Sequence, residues 1–239
     1  TANNILESAD VKSTIDACRK LGVKILKTKP QSYKIYGRGL GSFSIKKNSE
    51  INFGNSGTLA RLLIGMLSTN PDICVKIKGD HSLNKRNMKK IIGLMSEFGA
   101  TFFPKGKNTF PIKMISSEMP IGINYKSGVS AQLKSAVMLA GLNSFGNTYI
   151  KEQVASRDHT ENLLMNNKQS ITIKKKERKV IKIIGKKYLN PININIGGDP
   201  SSAAFFTALT LLNRDSYLKI KNVGLNPTRT GFYEILKKQ

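Results

Sequence analysis

Four stretches of this chain place small or amide side chains, with a cation close behind, where a helix would begin. Gly54-Asn55-Ser-Gly57-Thr58 is followed by Arg61, and Gly79-Asp-His-Ser82 leads to Lys85 and Arg86. Ser130-Ala131-Gln132 precedes Lys134, and Ser156-Arg157-Asp-His-Thr-Glu161 is the densest polar cluster. The first N–H groups of a helix have no intrahelical acceptor, so such a start favours a phosphate or carboxylate. Arg86 offers the planar donor fork that fits either group. Ser130 and Gln132 supply neutral donors able to orient oxygens, while Lys134 either neutralises charge or faces solvent. The glycine-rich stretch lacks the Lys-Ser/Thr ending of a nucleotide P-loop and the spacing of a dinucleotide fingerprint. In the 156–161 cluster, Asp158 is placed to fix His159 and Glu161 to accept from Arg157. A capped helix with local ion pairs accounts for the same residues. No pair of acidic residues declares itself as a general acid and base. The chemistry available is the gripping and orienting of anions.

The elements that must carry these residues recur. Thr58, Ser130 and Ser202 lie 72 residues apart, within Asn55–Arg61, Ser127–Leu133 and Asp199–Phe205. Each opening runs into an apolar segment: Leu62 to Leu67, Ala136 to Leu142 and Phe206 to Leu212. Asp199-Pro-Ser-Ser202 divides between a helix cap and a ligand wall. A second class of helix alternates with these. Val11, Ile15 and Cys18 share one helical face, and a similar helix begins near Asn84. A third starts at Arg157, and a fourth follows Asn226-Pro227, where a first turn tolerates proline. Alternation of apolar and polar residues predicts strands at 23–26, 33–36, 73–77, 121–124, 147–150, 170–173, 179–184, 192–196 and 217–221. The unit is therefore strand, small-start helix, strand, second helix and two further strands. In this phase the chain starts inside one unit and stops after a second-class helix, so the expected architecture is incomplete at both ends.

Composition fits a folded α/β protein. With 239 residues and 39% hydrophobic side chains the chain can bury a substantial core. Its apolar runs are shorter than the roughly 20 residues that span a bilayer, and it carries no secretory leader. Cys18 and Cys74 read as reduced core residues, which points to the cytoplasm, and no cluster suggests a metal. The formal charge of +24 attracts polyanions. The lysines are spread from Lys24 to Lys179, however, and no RNA-sheet, zinc-finger or basic-zipper pattern accompanies them. The reading is a lysine-rich surface rather than a specific nucleic-acid face.

Taken together, six segments resemble the enolpyruvyl transferase family. They are Gly54–Thr58 with Arg61, Gly79–Leu83 with Arg86, Ser130–Gln132 with Lys134-Ser135, Ser156–Glu161, Gly198–Ala204 and Asn226–Gly231. They occur in order across nearly all of the chain. The Ser-Arg-Asp-His-Thr-Glu and Ser-Ala-Gln forms favour the members that act on shikimate 3-phosphate over those that act on UDP-N-acetylglucosamine. The resemblance implies an inside-out α/β prism of repeated βαβαββ units. Residues 1–196 would be most of one domain, lacking its first strand and helix, and residues 197–239 the beginning of the second. It implies transfer of the enolpyruvyl group of phosphoenolpyruvate to the 5-hydroxyl of shikimate 3-phosphate, with release of phosphate and without a metal or organic cofactor. Gly57, Arg86 and Gln132 fall on phosphoenolpyruvate contacts. Ser130, Ala131 and Ser156 fall on shikimate 3-phosphate contacts, with Asn55, Thr58, Lys134 and Arg157 in support. Asn87 stands where the family usually has proline after the arginine. The resemblance assigns the catalytic aspartate and glutamate to a further half, so a complementary polypeptide is a possible partner.

Overall fold

The computed structural model describes residues 1–175 and 178–238; Lys176 and Glu177, from the basic run 174–179, lie outside the described residues. In chain order the elements are β1 (Ala2–Asn3), α1 (Ala9–Lys20), β2 (Lys24–Lys29), β3 (Ser32–Tyr36), β4 (Ser49–Asn52), α2 (Gly57–Ser68) and β5 (Cys74–Lys78). Then come α3 (His81–Asn84), α4 (Lys89–Glu97), β6 (Thr101–Phe103), β7 (Ile112–Ile115), β8 (Asn124–Ser127), α5 (Ala131–Asn143) and β9 (Asn147–Glu152). The remainder is α6 (His159–Leu164) with a 3-10 turn at Met165–Asn167, β10 (Ile171–Lys175), β11 (Lys179–Ile184), β12 (Ile194–Asn195), α7 (Pro200–Leu211) and α8 (Gly231–Leu236).

Two sheets repeat one design. Their orders are β4-β5-β7-β6 and β8-β9-β11-β10, each with one parallel pair flanking a small-start helix and two antiparallel pairs beyond it. The third sheet, β12-β1-β3-β2, keeps the pattern by a different route. Here β12, from far along the chain, takes the parallel place beside β1. The βαβαββ reading therefore holds for the two units that the chain carries whole.

The chain divides into two compact units. The larger comprises residues 7–25 and 35–191, and the smaller residues 1–6, 26–34 and 192–239. In the larger unit the core runs from Leu21 and Ile51 through α2 and α5 to Ile181 and Ile183. The two small-start helices are its centre. Most of α2 and α5 is buried, as an all-round apolar helix requires. They pack backbone to backbone at Gly65, where a Cβ would lie 2.6 Å from the carbonyl oxygen of Ala136. Gly65→Ala is therefore expected to destabilise the unit by about 1–3 kcal/mol despite the better helix propensity of alanine. A urea unfolding midpoint that does not fall would contradict this.

In the smaller unit α7 is as apolar as α5, but of its residues Pro200 and Ala203 alone are buried; Phe205 is 78% and Leu211 62% exposed. A cavity of about 380 Å³ lies between α7, α8 and residues 218–225, lined by Thr207, Leu211, Leu218, Ile220, Val223 and Tyr233. The alternating segment 217–221 forms no strand, since no described residue pairs with it along its length; just beyond it Val223 bridges Gly198. Other local readings also shift. The 121–124 strand is displaced to 124–127, and 192–196 shortens to the two residues that reach a partner. The helix read near Asn84 divides into α3 and α4. Pro227 precedes α8 rather than opening it, within a turn where Asn226 Oδ1 accepts from the Thr228 N–H.

Candidate functional site

Within the larger unit, sequence-distant residues meet at the starts of α2 and α5. Ser56 caps α2, its hydroxyl accepting from Leu59 N–H at 3.2 Å, and Ser130 caps α5 by accepting from Leu133 N–H at 3.4 Å. Asp199 caps α7. The caps thus do not sit at the evenly spaced Thr58, Ser130 and Ser202: Thr58 and Ser202 lie within the first turns. With each cap hydroxyl serving one later N–H, those of Gly57 and Thr58, and of Ala131 and Gln132, remain at the two helix starts for an outside acceptor. The Gln132 side chain donates to Thr58 Oγ1 at 2.8 Å, which fastens one start to the other.

Two guanidinium groups close on this place. Arg86 Nη2 donates to Asn55 Oδ1 at 2.8 Å, and Arg61 Nη1 donates to the Gly57 carbonyl at 2.9 Å. A Cβ on Gly57 would lie 2.8 Å from Arg86 Nη1 and 3.0 Å from Arg61 Nη1, so the absent side chain is what admits both. Burial, and after it the Arg86 charge, pulls the Arg61 pKa below its ordinary value. An arginine so placed still remains a cation. Neither has a carboxylate partner among the described residues. Two unneutralised cations beside two helix N-termini make a local positive potential suited to a multiply charged anion. Arg61 thus belongs with Arg86 at this site.

Lys134, one turn into α5, neither faces solvent nor points to the open helix starts. It is fully buried, with Nζ 2.7 Å from Glu152 Oε1 and 2.7 Å from Glu161 Oε1. Lys179 completes the cluster, 3.3 Å from Glu152 Oε2 and 3.2 Å from Glu161 Oε1. Two cations and two anions from α5, β9, α6 and β11 therefore balance. Glu161 serves these lysines and not Arg157, which is exposed. Burial pushes the Glu152 carboxyl up, but Lys134, the Ser156 N–H and Lys179 outweigh it and hold the carboxyl below its ordinary range. Burial likewise pulls Lys179 down, and the two glutamates more than reverse it. Ser156 sits beside this cluster, with both its N–H and its hydroxyl donating to Glu152 Oε1 at 3.1 Å. Glu152 escaped the sequence reading. The available signal was Lys134 itself, since a lysine in a helix apolar on all sides must be buried against carboxylates.

Asp158 accepts from Asn162 at 3.1 Å. In the smaller unit Asp199 is occupied by the Ser201 and Ser202 N–H groups, the Ser202 hydroxyl and Arg229 at 2.9 Å. That stretch is a helix cap. Cys18 and Cys74 are free thiols. Among the described residues no group of three or more His, Cys, Asp or Glu could hold a metal, and no helix is long and apolar enough to cross a membrane.

A profile of the family described as EPSP synthase (3-phosphoshikimate 1-carboxyvinyltransferase) matches residues 1–239. The chain is 38% identical over 235 residues to the 3-phosphoshikimate 1-carboxyvinyltransferase of Paramagnetospirillum magneticum, covering 97% of this chain and 52% of that protein. It is 40% identical over 235 residues to the protein of the same name from Zymomonas mobilis, covering 98% and 51%. The solved EPSP synthase from Acinetobacter baumannii superposes with a TM-score of 0.85 at 36% identity, over 99% of this chain and 53% of that one. The chain spans about half the length of the relatives it matches.

Proposed function

We propose, from the premise that this chain belongs to the EPSP synthase family, that it supplies part of the substrate-binding wall of an enzyme transferring the enolpyruvyl group of phosphoenolpyruvate to the 5-hydroxyl of shikimate 3-phosphate. The 5-hydroxyl oxygen replaces phosphate on the enol carbon, phosphate leaves, and the hydroxyl proton is balanced on the products. No metal or organic cofactor enters this reading. Its compartment is the cytoplasm, and its place is the biosynthesis of aromatic amino acids. On this reading residues 1–196 are most of one family domain and 197–239 begin the second, a boundary that differs from the compact units, in which residues 1–6 and 26–34 group with 192–239.

The observation that carries this reading is the convergence of Arg86, Gly57 and Gln132 at the linked starts of α2 and α5. Phosphoenolpyruvate, a phosphate and a carboxylate on a small frame, suits two adjacent guanidinium groups. Shikimate 3-phosphate is read by Ser130, Ala131 and Ser156. Ser130 accepts its cap bond and keeps its own O–H to donate, and the Ala131 N–H stands beside it. Asn55 and Thr58 support the contacts by fixing Arg86 and Gln132. Lys134 supports them from beneath, while exposed Arg157 adds only local positive charge.

Catalysis of this kind needs a site that excludes water and presents donors where charge develops. One wall does not provide that, so the purified chain with both substrates is expected to release phosphate no faster than background. Robust substrate-dependent release without an added partner would refute this. The exposed apolar face of α7 favours a companion proposal, a complementary polypeptide that completes the fold. Activity appearing on mixing with the remaining half-length of a relative would support it, and silence from a mixture that forms a complex would count against it.

A further inference from the structure

We propose that Glu152 is a positioning residue for Ser156, held charged and immobile by Lys134 and Lys179 so that the 153–158 loop presents Ser156 in one orientation. The inference deepens the functional reading and rests on Ser156 as a shikimate 3-phosphate contact. The loop has no regular structure of its own between the end of β9 and the start of α6. Ser156 donates twice to one atom, Glu152 Oε1, which also accepts from Lys134 at 2.7 Å.

The two bonds have different roles. A backbone N–H can reorient only if the chain moves, so it anchors the loop. A hydroxyl turns about a single bond, and its proton can leave Glu152 for an arriving phosphate oxygen. Glu152 tolerates that departure because three charged or backbone donors remain on it: Lys134, Lys179 and the Ser156 N–H. A buried carboxylate left with too few donors would resist releasing the hydroxyl. The lysines therefore keep Ser156 both placed and available. They also fix the carboxylate from two sides: Lys134 from α5, the helix whose start carries Ser130 and Ala131, and Lys179 from β11. One buried side chain thus sets the distance between two parts of the proposed phosphate contact.

The test uses the full 239-residue chain and two readouts, amide hydrogen exchange at Ser156 and titration with shikimate 3-phosphate. Glu152→Asp keeps the charge between the ammonium groups and withdraws the oxygens by one methylene. It is expected to speed exchange at Ser156 at least about tenfold, with exchange in β5 and α2 unchanged, which separates loop release from global unfolding. It should also weaken shikimate 3-phosphate binding as much as Ser156→Ala does, and the double variant should lose no more than either. Glu152→Gln, which keeps the reach and removes the charge, serves as the second variant should the aspartate not fold, with the same expectation in weaker form. Unchanged exchange at Ser156 in a folded variant overturns the proposal, as does faster exchange with undiminished affinity. A wild-type chain that binds no shikimate 3-phosphate overturns the reading of Ser156 on which the proposal rests, and the exchange result then decides the Glu152 anchor by itself.

Discussion

Replacing Arg86 with alanine is expected to weaken phosphoenolpyruvate binding to this chain by about 10- to 100-fold and to leave its unfolding midpoint unchanged. The magnitude follows from losing a charge-assisted hydrogen-bonding group that contributes about 1.5–3 kcal/mol. The lack of a stability cost follows from position. Arg86 is exposed, its side chain hydrogen-bonds to exposed Asn55, and it faces another cation in Arg61. Its removal relieves a like-charge contact and leaves no buried partner unsatisfied. Isothermal titration of both proteins with phosphoenolpyruvate, beside urea unfolding, separates the two effects. Affinity within twofold of wild type would remove Arg86 from the site; a falling midpoint would make it structural. Arg86→Lys should recover only part of the loss, because an ammonium lacks the planar fork.

The helix starts that carry this site were legible because their signals are local. A serine that caps and the glycine or alanine that follows act within one turn, so Asn55–Arg61 and Ser127–Leu133 announced α2 and α5 from a few residues each. Even so, the repeat displaced the caps. Alignment on Thr58, Ser130 and Ser202 matches sequence, while the chain itself uses Ser56, Ser130 and Asp199. Strands were read less well because their stability lies in a partner. Ser49–Asn52 carries one buried apolar residue, Ile51, and forms β4 through its parallel pairing with β5, while Tyr217–Lys221 alternates cleanly and forms nothing. Short β6 and β7 were hidden by the prolines beside them. The convergence of Gln132 on Thr58 and of Arg86 on Gly57 was not visible from spacing; it entered the reading only through family resemblance.

Lys134 was the residue least readable in isolation, and its replacement by methionine should have the largest effect on stability, about 3–5 kcal/mol near neutral pH. Methionine matches the stem in volume and suits the apolar helix, so little of the loss comes from packing. The cause is electrostatic. Glu152 and Glu161 would be left facing each other with the partly exposed Lys179 between them, and among the described residues Glu161 Oε2 already has no hydrogen-bond partner. The pH dependence gives the check. In the wild type the Glu152 carboxyl lies below its ordinary range, so its contribution is present above that range and is lost as pH falls through the lowered value. Lys179 lies above its ordinary value, so its contribution is present at lower pH and is lost as pH rises through the raised value. Wild-type stability should therefore form a plateau between the carboxylate and lysine ranges. The deficit of Lys134→Met should be greatest on that plateau and narrow on acidification, since protonating Glu152 removes the repulsion that the substitution exposes. Urea midpoints across this pH range decide the matter. A deficit independent of pH would assign the loss to packing, and a deficit below about 1 kcal/mol would mean that the four charges contribute little to holding α5, β9, α6 and β11 together.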